Sequence, residues 1–472
     1  MHLRDSCRIA LGTAIVAACS GLAYPAPPTS ASDPARMRGA SRTVQDGWIF
    51  VHLEGSPDQV GYQHGRLLAG EIADFLHVAR PYFRKTTGRD WSFYRKAAEE
   101  MLWPRVDDEY RREIDGIVDG ASSRGVEVDR WDIVALNASE ELPYYYVPWL
   151  DRREGKAPTT HSPGNCSAFI ATGSYTKDGR IVIGHNNWTN YVIGTRWNIV
   201  FDIKPEAGSR LIMDGLPGVI VSDDDFSINA AGILVTETTI TQFEGWDPAG
   251  KPEFVRARKA MQYSRSIDDF VRIMLDGNNG GYANDWLVGD NKTGEIARFE
   301  LGLKNPTVER TKDGCYFGSN FPVHPKLIRE ETTFDVLNRA SSPNARKTRW
   351  EQLLAEHRGK IDVELAKKLE NDDFDVILKL RGADERTLNG RTEVSPRGIP
   401  EWDWAPYYPG GTVTSKVADA ALAENLAFWG QVGHQGSDFL AAPFLEAHPE
   451  YQWMRGLLRD MKCSPWSHFR AP

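Results

Sequence analysis

The chain has 472 residues, 41% of them hydrophobic and 26% charged, which is the composition of a folded globular protein with length to bury a large core. Its net charge of −9 argues against a general affinity for nucleic acid or anionic membrane, since both need clustered Lys and Arg to displace counterions. Fifteen tryptophans would suit sugar stacking or a lipid interface, but burial in a big core explains them more simply.

The first residues place Arg4 and Arg8 ahead of the apolar run Ile9 to Ala18, followed by small residues and prolines. This is the pattern of a signal peptide, residues 1–23, and of an exported protein, periplasmic or secreted. Two cleavage positions compete: a small-x-small site ending at Ala23, or a lipobox, Val16-Ala17-Ala18, that would put a lipid on Cys19. Residues 24–46 read as a flexible linker, and no later segment has the apolar length to span a bilayer. A cut after Ala23 leaves Cys166, Cys315 and Cys463. In an oxidising compartment the simplest expectation is a Cys315–Cys463 disulfide and one leftover thiol, although an odd count leaves open which thiol that is.

From Ser56, a cap followed by Pro57, apolar positions Val60, Leu67, Leu68, Ile72, Phe75, Leu76 and Ala79 recur at helical spacing. Further helices are predicted over 92–101, 109–123 and 129–137, so 47–150 forms a helical first part. Residues 151–165, DRREGKAPTTHSPGN, lack apolar periodicity and predict an exposed, mobile loop. The period then changes: CSAFIATG, RIVIGHNNW, WNIVFDIK, RLIMD, GVIVSDD and GILVTETT read as consecutive antiparallel strands separated by turn signals. Residues 253–276 return to helix, and NDWLVGD and EIARFEL form a strand pair through NKTG. Helices are expected at 345–357, 437–447 and 451–461, around an aromatic, proline-rich loop at 399–412. The fold class is α+β, with residues 47–150 and 166–472 acting as one functional unit.

The usual signatures of serine esterases, zinc proteases and nucleotide-binding proteins do not occur: no G-x-S-x-G, H-E-x-x-H, C-x-x-C, Walker loop or G-x-G-x-x-G. The acidic triplet Asp223-Asp224-Asp225 reads as solvated or capping, so no metal is expected. Cys166 stands out, at the junction of loop and strand. Were the Asn165–Cys166 bond cut, the thiol would share a residue with a new α-amine of ordinary pKa about 7.7–8.0, joining nucleophile and base. The plainer alternative is a small buried residue at a strand start.

Four segments, NCSAFIAT, GHNNWTNY, LPGVIVSDDDFSINAAGILVTETTI and GGYANDWLVGD, resemble in order the phospholipase B-like proteins, within the acyl-coenzyme A:penicillin acyltransferase-like group of N-terminal nucleophile hydrolases. The opening GSPDQVGYQHGRLLAGEI resembles the first helix of that group. The resemblance implies a four-layer αββα sandwich with an added helical N-terminal region, self-cleavage between Asn165 and Cys166, and acyl hydrolysis or transfer without a cofactor. It matches Cys166 to the nucleophile and His185 to the histidine of an H-x-x-W motif, followed by Trp188 and Asn190 as substrate-binding residues. It further implies Asn284 as an oxyanion donor, Arg346 (or Arg349 a turn away) as the arginine near the nucleophile, and Thr238 as a pocket residue. Related amidases carry an aspartate shortly after the nucleophile, where this chain reads HNNW; Asp224 or Asp225 would have to substitute. The expected substrate is a small acyl ester, lipid included. Linear amides such as N-acyl amino acids or penicillin-like compounds are one alternative, and a non-catalytic lipid- or carbohydrate-binding protein using Trp402 to Tyr408 is another.

Overall fold

The computed structural model describes residues 33–472 apart from Asn165, Asp224 and Asp225. The leader, both cleavage positions, Cys19 and two members of the acidic triplet therefore lie outside the described residues.

The chain opens with a hairpin, β1 (Ser41–Gln45) and β2 (Trp48–Gly55), joined by Asp46 and Gly47 at φ 50° and 85°. Asp-Gly with both residues at positive φ is the turn whose twist matches a two-residue hairpin. Residues 41–45, expected in a flexible linker, are therefore a strand; their five positions are all exposed, so no hydrophobic alternation marked them. Ser56 caps helix Pro57–Leu67, with Gln59 Oε1 accepting from the Ser56 N–H at 3.0 Å. That helix lies against helix Asp108–Ser122 backbone to backbone: a Cβ at Gly61 or Gly65 would come within 1.9 or 2.0 Å of a carbonyl oxygen of Glu113 or Ile117.

The remaining strands are β3 (Ser167–Thr172), β4 (Val182–Asn190), β5 (Ile199–Pro205), β6 (Leu211–Gly215), β7 (Ser227–Asn229), β8 (Ile233–Thr239), β9 (Asn284–Asp290), β10 (Glu295–Leu301), β11 (Thr307–Thr311), β12 (Gly314–Gly318), β13 (Phe374–Asp375), β14 (Leu380–Arg381), β15 (Gly410–Asp419), β16 (Ala427–Val432) and β17 (Ser467–Arg470). Nine form one sheet, ordered β1-β2-β5-β6-β7-β8-β9-β10-β11, and six a second, ordered β12-β3-β4-β15-β16-β17; β13 and β14 pair alone. Neighbours in both sheets run antiparallel except β2 and β5, which are parallel. The consecutive strands expected after Cys166 thus divide between two sheets: β3 and β4 enter one, β5 to β8 the other.

Alternation along the strands assigns each sheet two buried faces. Ala168, Ile170 and Ile183 of the six-stranded sheet meet Val200, Ile212, Leu234 and Leu287 of the nine-stranded one in a core between the sheets. Phe169, Ala171, Val182 and Val417 face the other way, against Trp350 and Leu353 of helix Ser342–Glu356 and Ala366 and Leu369 of helix Val363–Glu370. On the far side of the nine-stranded sheet, Phe201, Met213, Val235 and Trp286 pack with the N-terminal helices and with helices Glu253–Tyr263 and Ile267–Leu275. The fold is α+β with two large sheets.

Three expectations are corrected. GVIVSDD is a loop rather than a strand where it is described: Gly218 N–H donates to His64 Nε2 (2.8 Å), Asn137 donates to Gly218 O (2.9 Å), and Ile220 N–H donates to Asn137 Oδ1 (2.8 Å). Side chains from helices satisfy this backbone, so its apolar residues are buried without pairing. Burial pulls the His64 pKa down to about 3, keeping the ring neutral and able to accept. The expected helix 451–461 reduces to a 3₁₀ turn, Pro449–Met454, ahead of Gly456 at φ 82°. Finally, Cys315 and Cys463 are free thiols. Cys315 lies on β12 at one edge of the six-stranded sheet, whereas Cys463 lies beside Gln431 of β16, four strands away and thus roughly 20 Å distant. A disulfide requires Cα atoms within about 7 Å.

A buried ion pair crosses between the sheets: Lys416 of β15 meets Asp214 of β6 at 2.8 Å, both side chains fully buried. Lys416→Met should destabilise the protein by about 3–5 kcal/mol in urea unfolding by taking the cation from a buried carboxylate, and Lys416→Met/Asp214→Leu should recover much of the loss.

Candidate active site

Cys166 is fully buried immediately ahead of β3, an interior strand of the six-stranded sheet. The antiparallel register sets Ala168 of β3 opposite His185 of β4, so the histidine lies one strand away, close to the chain start of β3. The opposite sheet contributes Glu237 from β8, a strand buried at every position. The Cys166 sulfur, a ring nitrogen of His185 and a carboxylate oxygen of Glu237 all lie within 4.8 Å of one another. A thiol, an imidazole and a carboxylate at that spacing hold the three parts of an activated nucleophile: attacking atom, proton acceptor and anion.

Arg346, in the first turns of helix Ser342–Glu356, fastens the backbone here. Its Nη1 donates to the Cys166 carbonyl (2.7 Å) and to Ser167 Oγ (3.1 Å), Nη2 donates to Asn320 Oδ1 (2.9 Å), and Nε donates to Ser342 Oγ (3.1 Å). The guanidinium also lies 4.7 Å from the Trp188 ring centroid and 5.3 Å from that of Trp402. Burial pulls its pKa down to about 9, against the opposing pull of Cys166 and Glu401, so it stays a cation at neutral pH. Arg349, the alternative, turns elsewhere and pairs with Asp372 through Nε (2.7 Å) and Nη2 (2.8 Å).

The other residues singled out from the sequence take distinct places. Trp188 packs under Arg346 and donates Nε1–H to Leu388 O (3.0 Å). Asn190 caps the short helix Tyr191–Gly194, its Oδ1 accepting from Ile193 N–H (2.9 Å). Thr238 is buried against Gly318, where a Cβ would come within 2.1 Å of its Oγ1. Asn284 takes the amide orientation in which Nδ2 donates to Glu237 Oε2 and to Ala283 O, both at 3.0 Å. Its two amide hydrogens are therefore committed, and donation to an oxyanion would require releasing one of them.

Glu237 and Asn320 were not singled out from the sequence. A lone acidic residue within the β-branched strand GILVTETT was a readable signal for Glu237, because a strand so apolar is buried and carries a carboxylate only at a cost. Asn320 stands at φ 73°, bridging Arg346 and Thr239 O (2.9 Å).

The stretch before Cys166, expected to be wholly exposed, is divided. Residues 153–157 and 159 are exposed, whereas Thr160 and residues 162–164 are buried. Thr160 Oγ1 donates to Pro143 O (2.6 Å), Ser162 Oγ to Ile240 O (2.8 Å), and Gln242 N–H to Ser162 O (3.0 Å). A Cβ at Gly164 would come within 2.5 Å of both Thr241 Oγ1 and Trp402 Cζ2. His161 N–H donates to Asp403 Oδ2 (3.0 Å), and their side chains form an ion pair at 3.1 Å.

The family model for Phospholipase B matches residues 72–306, which include Cys166, His185, Glu237 and Asn284 but not Arg346. An uncharacterized protein of Archaeoglobus fulgidus is 27% identical over 283 residues, 56% of this chain and 44% of that protein. Phospholipase B-like 1 of Bos taurus is 24% identical over 250 residues, 48% of this chain and 43% of that protein. The 40 kDa form of acyl-coenzyme A:6-aminopenicillanic-acid-acyltransferase of Emericella nidulans is 24% identical over 235 residues, 48% of this chain and 57% of that protein. The chain spans about half the length of the curated relatives it matches. Over about half of its length the chain is thus similar to phospholipase B-like proteins and to this acyltransferase, the resemblance its motifs indicate.

Arg346→Lys should destabilise the protein by about 3 kcal/mol in denaturant unfolding, since one ammonium cannot span Cys166 O, Asn320 and Ser342 together. The His161–Asp403 contact should depend on pH. Asp403 raises the His161 pKa above its usual value, so the stabilisation is complete below about pH 6.5 and is lost as pH rises through the folded value. Proteolytic nicking at 153–159, taken as the ratio of wild type to His161→Gln at each pH, should approach unity only at the higher pH values.

Proposed function

We propose that the protein is an exported cysteine hydrolase that cleaves its own Asn165–Cys166 bond and then hydrolyses an acyl ester, phospholipase B-like, through a thioester on Cys166. The observation that carries this reading is the buried thiol ahead of an interior strand, with His185 and Glu237 within 4.8 Å and its own carbonyl held by Arg346. The three cores, one between the sheets and one outside each, support a four-layer αββα sandwich in which 47–150 and 166–472 form one unit around the 151–165 segment.

In the mature enzyme the α-amine of Cys166 takes the thiol proton as the sulfur attacks the substrate carbonyl, and later gives a proton to the leaving group. Asn284 donates to the tetrahedral oxyanion after releasing one of its present acceptors, and water clears the thioester. No cofactor takes part. In the intact chain Gly164 packs against Thr241, Trp402 and Asn320. Departure of this segment would free space beside Trp402 and Trp188, next to Arg346, for an acyl chain. No helix among the described residues is long and apolar enough to cross a membrane. The match to the Emericella nidulans acyltransferase favours one second reading, hydrolysis or transfer on linear amides.

Intact mass and N-terminal sequencing of protein from an export-competent host, beside Cys166→Ala, test the first step. The expected result is a wild-type fragment running from Cys166 to Pro472 and an uncut variant; folded, uncut wild type overturns the reading. The cleaved protein should then release fatty acid from lysophospholipids faster than from N-acyl amino acids. The reverse order would favour the amide reading.

A further inference from the structure

While Asn165 and Cys166 are joined, the nitrogen that serves as base in the mature enzyme is an amide and accepts no proton. Self-cleavage therefore needs another acceptor for the Cys166 thiol, of which only a few per cent is ionised at neutral pH even in water. The Cys166–His185–Glu237 cluster supplies one, and all three residues are 0% exposed. Glu237 reaches this cluster from the sheet opposite His185, and a donor on its own sheet also holds it, Asn284 Nδ2 at 3.0 Å. A carboxylate that close to an imidazole favours the imidazolium.

We infer that Glu237 is a positioning residue for self-cleavage, holding His185 and stabilising its imidazolium while His185 takes the Cys166 thiol proton. The inference rests on the autoprocessing reading above. The Sγ–H proton passes to the His185 ring, and sulfur bonds to the Asn165 carbonyl carbon. The C–N bond breaks, and the imidazolium proton goes to the departing nitrogen. This yields a thioester and a free α-amine; one water then hydrolyses the thioester, leaving a carboxylate on Asn165 and restoring the thiol. Nothing is oxidised or reduced.

Other charged groups border His185. Lys416 stands opposite it in the β4–β15 register but is paired with Asp214. Arg346 holds the Cys166 carbonyl, and the Tyr282 hydroxyl donates to Asp223 O (2.9 Å). The Glu370 carboxylate lies over Gly184, on the opposite face of β4 from the His185 side chain. Of these, Glu237 is the carboxylate that reaches both thiol and imidazole.

The test refolds the full-length chain from urea at pH values from about 4 to 9 and follows the fragment beginning at Cys166 by intact mass, for wild type, Glu237→Gln and Glu237→Asp. A carboxylate beside an imidazole raises its pKa, so its loss weakens the base and moves the pH–rate inflection downward. Glu237→Gln should slow cleavage on the plateau by about 100-fold and shift the inflection to lower pH. Glu237→Asp should restore the inflection and most of the rate. Equal cleavage by wild type and Glu237→Gln at every pH overturns the inference. So does a slowed Glu237→Gln whose inflection is unmoved and which Glu237→Asp does not rescue. If Glu237→Gln fails to fold, the inflection of Glu237→Asp decides: wild-type-like supports the carboxylate role, shifted downward refutes it. A wild-type chain that folds and stays whole is a separate result, which removes the autoprocessing reading and this inference with it.

Discussion

The fully buried guanidinium of Arg346 is the constraint around which the candidate site is assembled. It joins the backbone at Cys166, the loop residue Asn320 and the first turn of its own helix, and it lies against two tryptophans from separate parts of the chain. A cation held away from water is tolerable only if its donors are satisfied and polarisable faces surround it. Here three carbonyl or hydroxyl oxygens, one side-chain amide oxygen and two indoles meet those needs. Moving any of these segments leaves a donor unmet in a closed interior. That is why the start of β3 is held firmly although the residues before it have few regular backbone partners.

The same interior carries a second concentration of charge, between the sheets. Lys416 and Asp214 join them as an ion pair, and His185 and Glu237 lie nearby with the thiol. A core made only of Ile, Leu and Val would cost less to close. The polar groups here come from strands that no local contact brings together: β4 and β15 from one sheet, β6 and β8 from the other. Sheet pairing positions them, and the burial that makes them costly also strengthens each electrostatic interaction among them. Two residues before the thiol, Gly164 is buried against Thr241, Trp402 and Asn320, so the chain ahead of Cys166 is itself part of this interior.

Much of this was legible where local chemistry decides. Ser56-Pro57 announced a helix start, the period change at Cys166 announced β3, and NKTG announced the β9–β10 hairpin. The Asp46-Gly47 hairpin carried an equally local signal, masked by the polar strand beside it. Other features were set by tertiary contacts. Residues 218–223 have the composition of a strand, but His64 and Asn137 claim their backbone. Cysteine parity suggested a disulfide, whereas the strand order keeps Cys315 and Cys463 apart. Within the site, Cys166, His185, Asn284 and Arg346 carried motif signals, yet sequence spacing could not decide between Arg346 and Arg349. A single helical turn separates the arginine that holds the Cys166 carbonyl from the one that meets Asp372.

The carboxylate was the residue hardest to anticipate, and the architecture explains why. A strand that supplies a thiol and its neighbour that supplies a histidine can share one sheet face, since cross-strand register makes them adjacent. An anion placed on that same short stretch would compete for the space the imidazole needs, and HNNW offers amides there instead. Drawing the carboxylate from β8 of the facing sheet removes the crowding and lets Glu237 approach the thiol and imidazole from the other side of the interface. It also makes the site conditional on the two sheets having closed. A chain that cleaves itself only when nucleophile, imidazole and carboxylate have met would do so only after folding, which protects an unfolded precursor from premature scission.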